Sequence, residues 1–342
     1  MTVLFRCNAS ATIGFGHLTR CRALAQALRE QDQRCVMVGP DRAYAKPTDH
    51  ELFEDWIPVP DWPSALADAN KVIELAEVHR ADWLVLDDYR IDESYQLSVR
   101  AAGRRWLQFD GTAHKPLWAD LVLVPNIALG ESDYVPVLRN PKTKLLCGPR
   151  YALLRSEFPP AILRPSERPI EQVLVTFGGG DDRGAIEFVL ASLLPSTPPS
   201  LQFSVLSGAH NPRNQALTNW IAQHADGRVQ LLINPDELAQ VFASCDLAIM
   251  AGGTSTFEAA CCGLPMILVS IADNQTRNSE TWEQFGAAIY LGAFPGITMN
   301  LLTKTFLDLL RDGDRCRSMA ESGKTKIDGR GAQRIVQALL TS

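Results

Sequence analysis

Three stretches of this sequence set reactive or anion-binding residues beside glycines. In ATIGFGHLTRCRALAQAL, residues 11–28, Gly14 and Gly16 free the backbone after an apolar run. His17 falls where an amphipathic helical pattern starts, with Arg20 one turn further on. A helix N-terminus disfavours a positive imidazole, and a neutral ring is what a general base requires. Arg20 can reach towards an anionic substrate or help keep His17 unprotonated.

The other two stretches are TFGGGDD, with Gly178 and Gly179, and MAGGTSTFEAA, with Gly252 and Gly253. Each follows an apolar run that reads as a strand. Glycines let a backbone come close to a ligand, and the helix start that follows offers unpaired N–H groups to a phosphate. Thr254, Ser255 and Thr256 add hydroxyls. Glu258, one turn on, can accept the two hydroxyls of a ribose, as the acidic residue does in dinucleotide folds. A plain reading, in which the glycines make tight turns and Thr254 caps a helix, covers one such loop. Two in succession point to a nucleotide diphosphate.

Further polar residues end apolar runs in the first half: Arg6 in VLFR, Asp87, Asp88 and Tyr89 in WLVLDDY, Asp110 in WLQFD and Asn126 in LVLVPN. If these runs are parallel strands, their ends share one sheet edge, and the set converges on His17. Helix caps and turns would explain any one of them.

The elements that must position these residues alternate. Val3–Arg6 reads as a strand, His17–Arg29 as a helix, Arg34–Val38 and Trp83–Asp87 as strands with a helix from Ser64 to His79 between, then a helix at Glu93–Ala102 and a strand at Arg105–Phe109. DLVLVPN and KLLCG add two strands. The apolar runs are continuous, as in strands buried on both faces of a parallel sheet. Residues 154–169, rich in proline and charge, read as a linker. The pattern then restarts with strands QVLVTFGGG, QFSVLSG, VQLLIN, LAIMAGG and MILVSI, and helices at Gly184–Leu194, Gln215–His224, PDELAQVFASC and TSTFEAACCG, with helices only from there to the end. Pro235 suits a first helical turn. The expected architecture is α/β: two doubly wound domains, 1–153 and 170–342, facing a central cleft, with ligands outside the carboxyl ends of the strands.

Composition narrows the function classes. The chain has 342 residues and a net charge of −6, so no basic field for nucleic acid is expected. No apolar run approaches the ~20 residues of a membrane span, and MTVLFRCNAS reads as a first strand rather than a signal peptide. Eight cysteines form no CxxC pair, so neither a zinc cluster nor a disulfide framework is expected; reduced thiols suit the cytoplasm. The acidic pairs Asp87–Asp88 and Asp181–Asp182 read as caps and turns rather than metal ligands. There is no GxxxxGKS/T and no strand-following GxGxxG, which speaks against an ATPase and against NAD.

Taken together, FRCNASATIGFGHLTRC, WLVLDDY, GPRYALLR, GGTSTFEAACCGLP, ADNQ and DGRGAQRI resemble the UDP-2,4-diacetamido-2,4,6-trideoxy-β-L-altropyranose hydrolases of pseudaminic acid synthesis, over nearly the whole chain. That family has the GT-B architecture and is similar to the enzyme that adds N-acetylglucosamine in peptidoglycan synthesis. The resemblance implies that His17 is the catalytic base and that Tyr89 is the tyrosine of an Asp-His-Tyr motif, written Asp87-Asp88-Tyr89 here. It implies that Gly252–Ser255 hold the diphosphate, that Glu258 holds the ribose and that Asn274 and Gln275 lie near the sugar. The backbone at Ile233–Asn234 would frame the uracil. Two departures, Asp88 for the family's histidine and Gly111 for its second aspartate, both fall on the sugar side. The implied protein is a monomeric hydrolase of a UDP-sugar, needing no metal or other cofactor and no nucleic-acid or membrane partner. An inverting UDP-sugar glycosyltransferase and a non-catalytic nucleotide-sugar binding protein are the alternatives.

Overall fold

A computed structural model describes residues 1–9, 15–59, 62–155, 157–158, 169–235 and 237–342. The chain forms two compact units, Met1–Ser156 with Gly329–Ser342, and Glu157–Asp328.

The first unit is built on seven strands: β1 (Thr2–Cys7), β2 (Arg34–Gly39), β3 (Asp55–Pro58), β4 (Trp83–Asp87), β5 (Trp106–Phe109), β6 (Leu121–Val124) and β7 (Lys144–Cys147). They lie in the order β3-β2-β1-β4-β5-β6-β7 and pair in parallel throughout. The central strands are buried along their whole length, as their continuous apolar runs require. Alternation sorts their side chains. Phe5, Cys7 and Val85 face a core closed by Leu18, Cys21 and Leu24 of the helix Gly16–Arg29 and by Ile335 and Leu339 of the helix Gly331–Thr341. Leu4, Leu84 and Leu86 face the other way, onto Val72 and Tyr95 of the helices Ala65–Val78 and Glu93–Ala101. Ser64 and Asp92 cap those two helices, accepting from Ala67 N–H and Tyr95 N–H.

The second unit has six parallel strands: β8 (Gln172–Thr176), β9 (Gln202–Ser207), β10 (Val229–Ile233), β11 (Leu247–Met250), β12 (Met266–Ser270) and β13 (Ala288–Ala293). Their order is β10-β9-β8-β11-β12-β13. Both sheets therefore reverse strand order beside their first strand, between β1 and β4 and between β8 and β11. Ligands of doubly wound sheets sit at that point.

Three expectations need correcting. The C-terminal stretch does not belong wholly to the second domain: Gly329–Ser342 returns to the first unit, where its helix covers the core beside the helix Gly16–Arg29. The region after MILVSI is not all helical, because β13 extends the sheet, and β3 was not foreseen either. Both are edge strands of mixed burial. DWIP in β3 is short and carries an acid, whereas AIYLGA in β13 is a continuous apolar run that the all-helical expectation passes over. Pro235 precedes its helix, Leu238–Ser244, instead of lying in the first turn.

Candidate active site

In the first unit the strand switch brings β1's successor helix against the end of β4. His17 is the second residue of the helix Gly16–Arg29, and its Nδ1 lies 2.7 Å from Asp87 Oδ1. Arg20, one turn later, reaches the same carboxylate with Nε and Nη2 and lies 5.0 Å over the Phe109 ring. Burial works to raise the Asp87 pKa. The Arg20 charge, with hydrogen bonds from Arg20 and His17, overcomes it, and the carboxyl is held below its ordinary range. Burial likewise opposes the charge on Arg20, and Asp87 more than restores it. Cys21 closes the floor, its Sγ 4.0 Å from Asp87 Oδ2. Burial holds that thiol well above its usual pKa, so it faces the carboxylate as neutral S–H.

These charges set the histidine tautomer. An ionised carboxylate only accepts, and a guanidinium only donates. The proton on Nδ1 therefore goes to Asp87, and the 2.8 Å approach of Arg20 Nη2 to Nδ1 is a contact, not a shared bond. A neutral ring then carries its lone pair on Nε2. The same logic orients the histidine of hydrolase triads. Tyr89 stands with its ring edge-on to His17, centroids 4.7 Å apart, while remaining largely exposed.

Other residues expected to converge here have side-chain partners of their own. Arg6 has its side chain on the opposite face of the sheet, with Leu4, and is 1% exposed. Its guanidinium is engaged by both oxygens of Asp68 and by the Cys7 carbonyl. Asp88 is buried in an ion pair with Arg90. Asp110 accepts from Thr112 N–H, Ala113 N–H and the Tyr134 hydroxyl, and Asn126 accepts from Ala128 N–H. Both shape their own turns. Gly16 has open space around its Cβ position. Gly14 lies outside the described residues.

In the second unit the two glycine loops are neighbours, because β8 and β11 pair and Ala251 N–H donates to Thr176 O. Gly178 has φ +95°, and nothing lies within 4 Å of a Cβ built on Gly178, Gly179 or Gly253. Gly252 differs: a Cβ there would lie 2.0 Å from Ser279 Oγ and 2.8 Å from Gln275 O. It is a packing glycine, fixed further by Asn278 Nδ2 donating to its carbonyl at 2.6 Å. Gly208, at the end of β9, supports Gly179 in the same way, with a Cβ position 2.0 Å from the Gly179 carbonyl oxygen. Asn278, Ser279 and Gly208 escaped the sequence reading; the polar run NQTRNSE was the available signal for the first two.

Thr254 is exposed, Ser255 half-buried and Glu258 half-buried. Thr256 is buried, donating to Gly253 O and accepting from Trp282 Nε1, and so serves the loop instead of a ligand. Asp182 is buried and accepts from Ile186 N–H and Asn211 Nδ2. Asn274 is exposed, and Gln275 Oε1 accepts from Ile271 N–H. Ile233 is an exposed apolar residue at the end of β10, and Asn234 follows with φ +47°. Among the described residues no helix is long and apolar enough to cross a membrane.

Comparison with known proteins bears on the fold and on the sequence as a whole. The lipid-A-disaccharide synthetase family matches residues 185–272. The UDP-2,4-diacetamido-2,4,6-trideoxy-beta-L-altropyranose hydrolase of Campylobacter jejuni is 25% identical over 283 residues, 82% of this chain and 96% of that one. MurG of Acinetobacter baumannii superposes with a TM-score of 0.69 at 15% identity, covering all of both chains. UDP-GlcNAc 2-epimerase from Neisseria meningitidis, solved with UDP-GlcNAc bound, gives 0.69 at 12% identity over all of both chains. In sequence the chain is similar to the UDP-2,4-diacetamido-2,4,6-trideoxy-β-L-altropyranose hydrolases, and its two doubly wound domains have the GT-B fold.

Proposed function

We propose that the chain hydrolyses a UDP-linked 2,4-diacetamido-2,4,6-trideoxyhexose, releasing UDP and the free sugar with inversion, as a step of pseudaminic-type acid synthesis. The observation that carries this reading is the His17–Asp87–Arg20 constellation: a histidine whose Nδ1 proton is committed to a charged carboxylate, so that Nε2 is left to take a proton.

In this reading Nε2 takes a proton from water as the water oxygen bonds the anomeric carbon. The bond from that carbon to the diphosphate oxygen breaks, and the electron pair leaves with UDP. Asp87 keeps the ring oriented and offsets the imidazolium charge. Tyr89 lines the sugar side. Gly178, Gly179 and Gly252–Ser255 hold the diphosphate, their N–H groups meeting charge that grows as the bond breaks. Glu258 holds the ribose, Ile233 and Asn234 the uracil, and Asn274 and Gln275 the sugar. The open space at Gly179 and Gly253 supports the diphosphate assignment.

A second reading, an inverting glycosyltransferase, draws on the lipid-A-disaccharide synthetase match and the MurG likeness. His17 would then deprotonate an acceptor hydroxyl. Incubating the protein with the UDP-diacetamido-sugar and no acceptor separates the two. NMR should show UDP and free sugar, the first-formed anomer inverted. Substrate that stays intact until a sugar acceptor is added would favour the transferase. Binding without turnover in either case would leave a nucleotide-sugar binding protein.

A further inference from the structure

The loop after β4 sends successive residues to different tasks. Asp87 and Tyr89 engage His17, whereas Asp88 and Arg90 engage each other. The Asp88 side chain is 3% exposed. It accepts from Arg90 Nε at 3.0 Å, from Nη2 at 2.6 Å and from the Arg90 backbone N–H at 2.9 Å. The guanidinium is thus pinned along one edge by the bidentate geometry that matches a carboxylate. It lies 4.0 Å from the Trp62 ring centroid. Trp62 in turn stacks on the fully buried Tyr95, with planes 9° apart. Yet the Arg90 side chain is 35% exposed, and its Nη1 donors bond no described residue.

An arginine mounted in this way has little rotamer freedom left to lose when a ligand arrives. It can only donate, so its ligand offers an acceptor. The charge of Asp88 already balances it, which favours a neutral acceptor over an anion. Two residues separate Arg90 from Asp87, which keeps their Cα atoms within ~10 Å and sets the fork at the end of β4 that carries the His17–Asp87 pair, over the Trp62 and Tyr95 side of the sheet. We propose that Arg90 is a specificity-determining residue that donates to an acetamido carbonyl oxygen of the sugar, with Asp88 and Trp62 as its mount. This rests on the UDP-sugar reading above, and it gives Asp88, which stands where the resembling family has histidine, a task of its own.

The test is equilibrium binding, which needs no turnover. UDP, UDP-glucose and the UDP-diacetamido-trideoxyhexose are titrated into wild type, Arg90→Gln, Arg90→Lys and the Asp88→Asn/Arg90→Gln double variant. The double variant removes the buried carboxylate that Arg90→Gln alone would strand, so a folding defect in the single variant does not hide the answer. Wild type is expected to prefer the diacetamido sugar to UDP-glucose. Both Gln variants should lose that preference by about tenfold, while UDP and UDP-glucose bind as before. Lysine keeps the charge but not the fork and should not restore the preference. Equal weakening of all three ligands would mean that Arg90 holds the diphosphate or the loop, and would overturn the proposal. So would a wild-type protein indifferent to the acetamido groups, with the UDP-sugar reading left standing. A wild type that binds none of the three ends both.

Discussion

His17 and Asp87, 70 positions apart, meet Nδ1 to Oδ1 at 2.7 Å because β1 and β4 are neighbours at the strand switch. The helix after β1 starts where β4 ends, so a base on one element and its orienting carboxylate on the other need no long loop to find each other. Arg20 completes the arrangement from one turn along the same helix.

Replacing His17 by alanine should therefore cut turnover of the UDP-sugar by ~10²–10⁴, the usual loss for a general base, while UDP binding persists. Single-turnover kinetics beside a UDP titration would measure both. A parallel loss of UDP affinity would show that His17 holds the fold of the unit instead of the proton.

The two glycines of the loop after β11 should behave differently. Gly252→Ala forces a Cβ against Ser279 and Gln275 and should destabilise the protein by about 1–3 kcal/mol, as overpacking does. Gly253→Ala meets open space and should leave the melting temperature unchanged while weakening UDP about tenfold or more, about 1.4 kcal/mol. Thermal melts and UDP titrations on the pair distinguish a packing glycine from a ligand glycine. Unchanged UDP binding in Gly253→Ala would remove that loop from the site.

The same contrast shows what could be read in the sequence and what could not. Continuous apolar runs announced the buried parallel strands, and the polar residues ending them marked the sheet edge. They did not reveal which face each residue would take. Asp87 and Asp88 are adjacent, and so are Arg6 and Cys7, yet a strand turns successive side chains to opposite faces. Asp87 meets His17, while Arg6 is buried against Asp68 on the other side. Counting outwards from Phe5 and Leu4 would have separated them. The return of Gly331–Thr341 to the first unit was hidden for another reason: an amphipathic helix has the same pattern whichever core it covers. The edge strand β3 reads DWIP, with an acid at its start and Pro58 at its end, so it does not resemble the central runs. The strand β13, AIYLGA, does resemble them, and the expectation of helices from MILVSI to the end passes over it.

Glu258 gives a third test. If its carboxylate accepts the ribose hydroxyls, Glu258→Gln should weaken UDP by about 1.5–3 kcal/mol, the worth of hydrogen bonds to a charged group. Binding of 2′-deoxy-UDP should fall less, since it has one hydroxyl fewer to lose. Isothermal titration with both nucleotides would show this, and an equal loss for both would place Glu258 away from the sugar ring.

Asp87 ties the chemistry to acid stability, and the sign is fixed by its environment. Its pKa is lowered in the folded state, so the native protein binds this proton less readily than the unfolded chain. The stabilisation is fully present above the unfolded value of about 3.9 and is lost as pH falls through the folded one. Asp87→Asn removes that titration, so its unfolding free energy should fall less steeply than wild type's below pH ~4. At pH 7 the variant should be less stable by about 1.5–3 kcal/mol, the scale of hydrogen bonds to a charged group. Arg20 keeps 27% of its side chain exposed, so the loss should stay below the ~3–5 kcal/mol of a fully buried broken pair. Turnover should drop by up to ~10⁴, because asparagine accepts poorly from Nδ1–H and no longer fixes the tautomer. Denaturant titrations from pH 7 to pH 2 on both proteins would read the stability terms. A variant as steep as wild type in acid would mean that the Asp87 carboxyl is not the group whose ionisation the His17–Arg20 pocket protects.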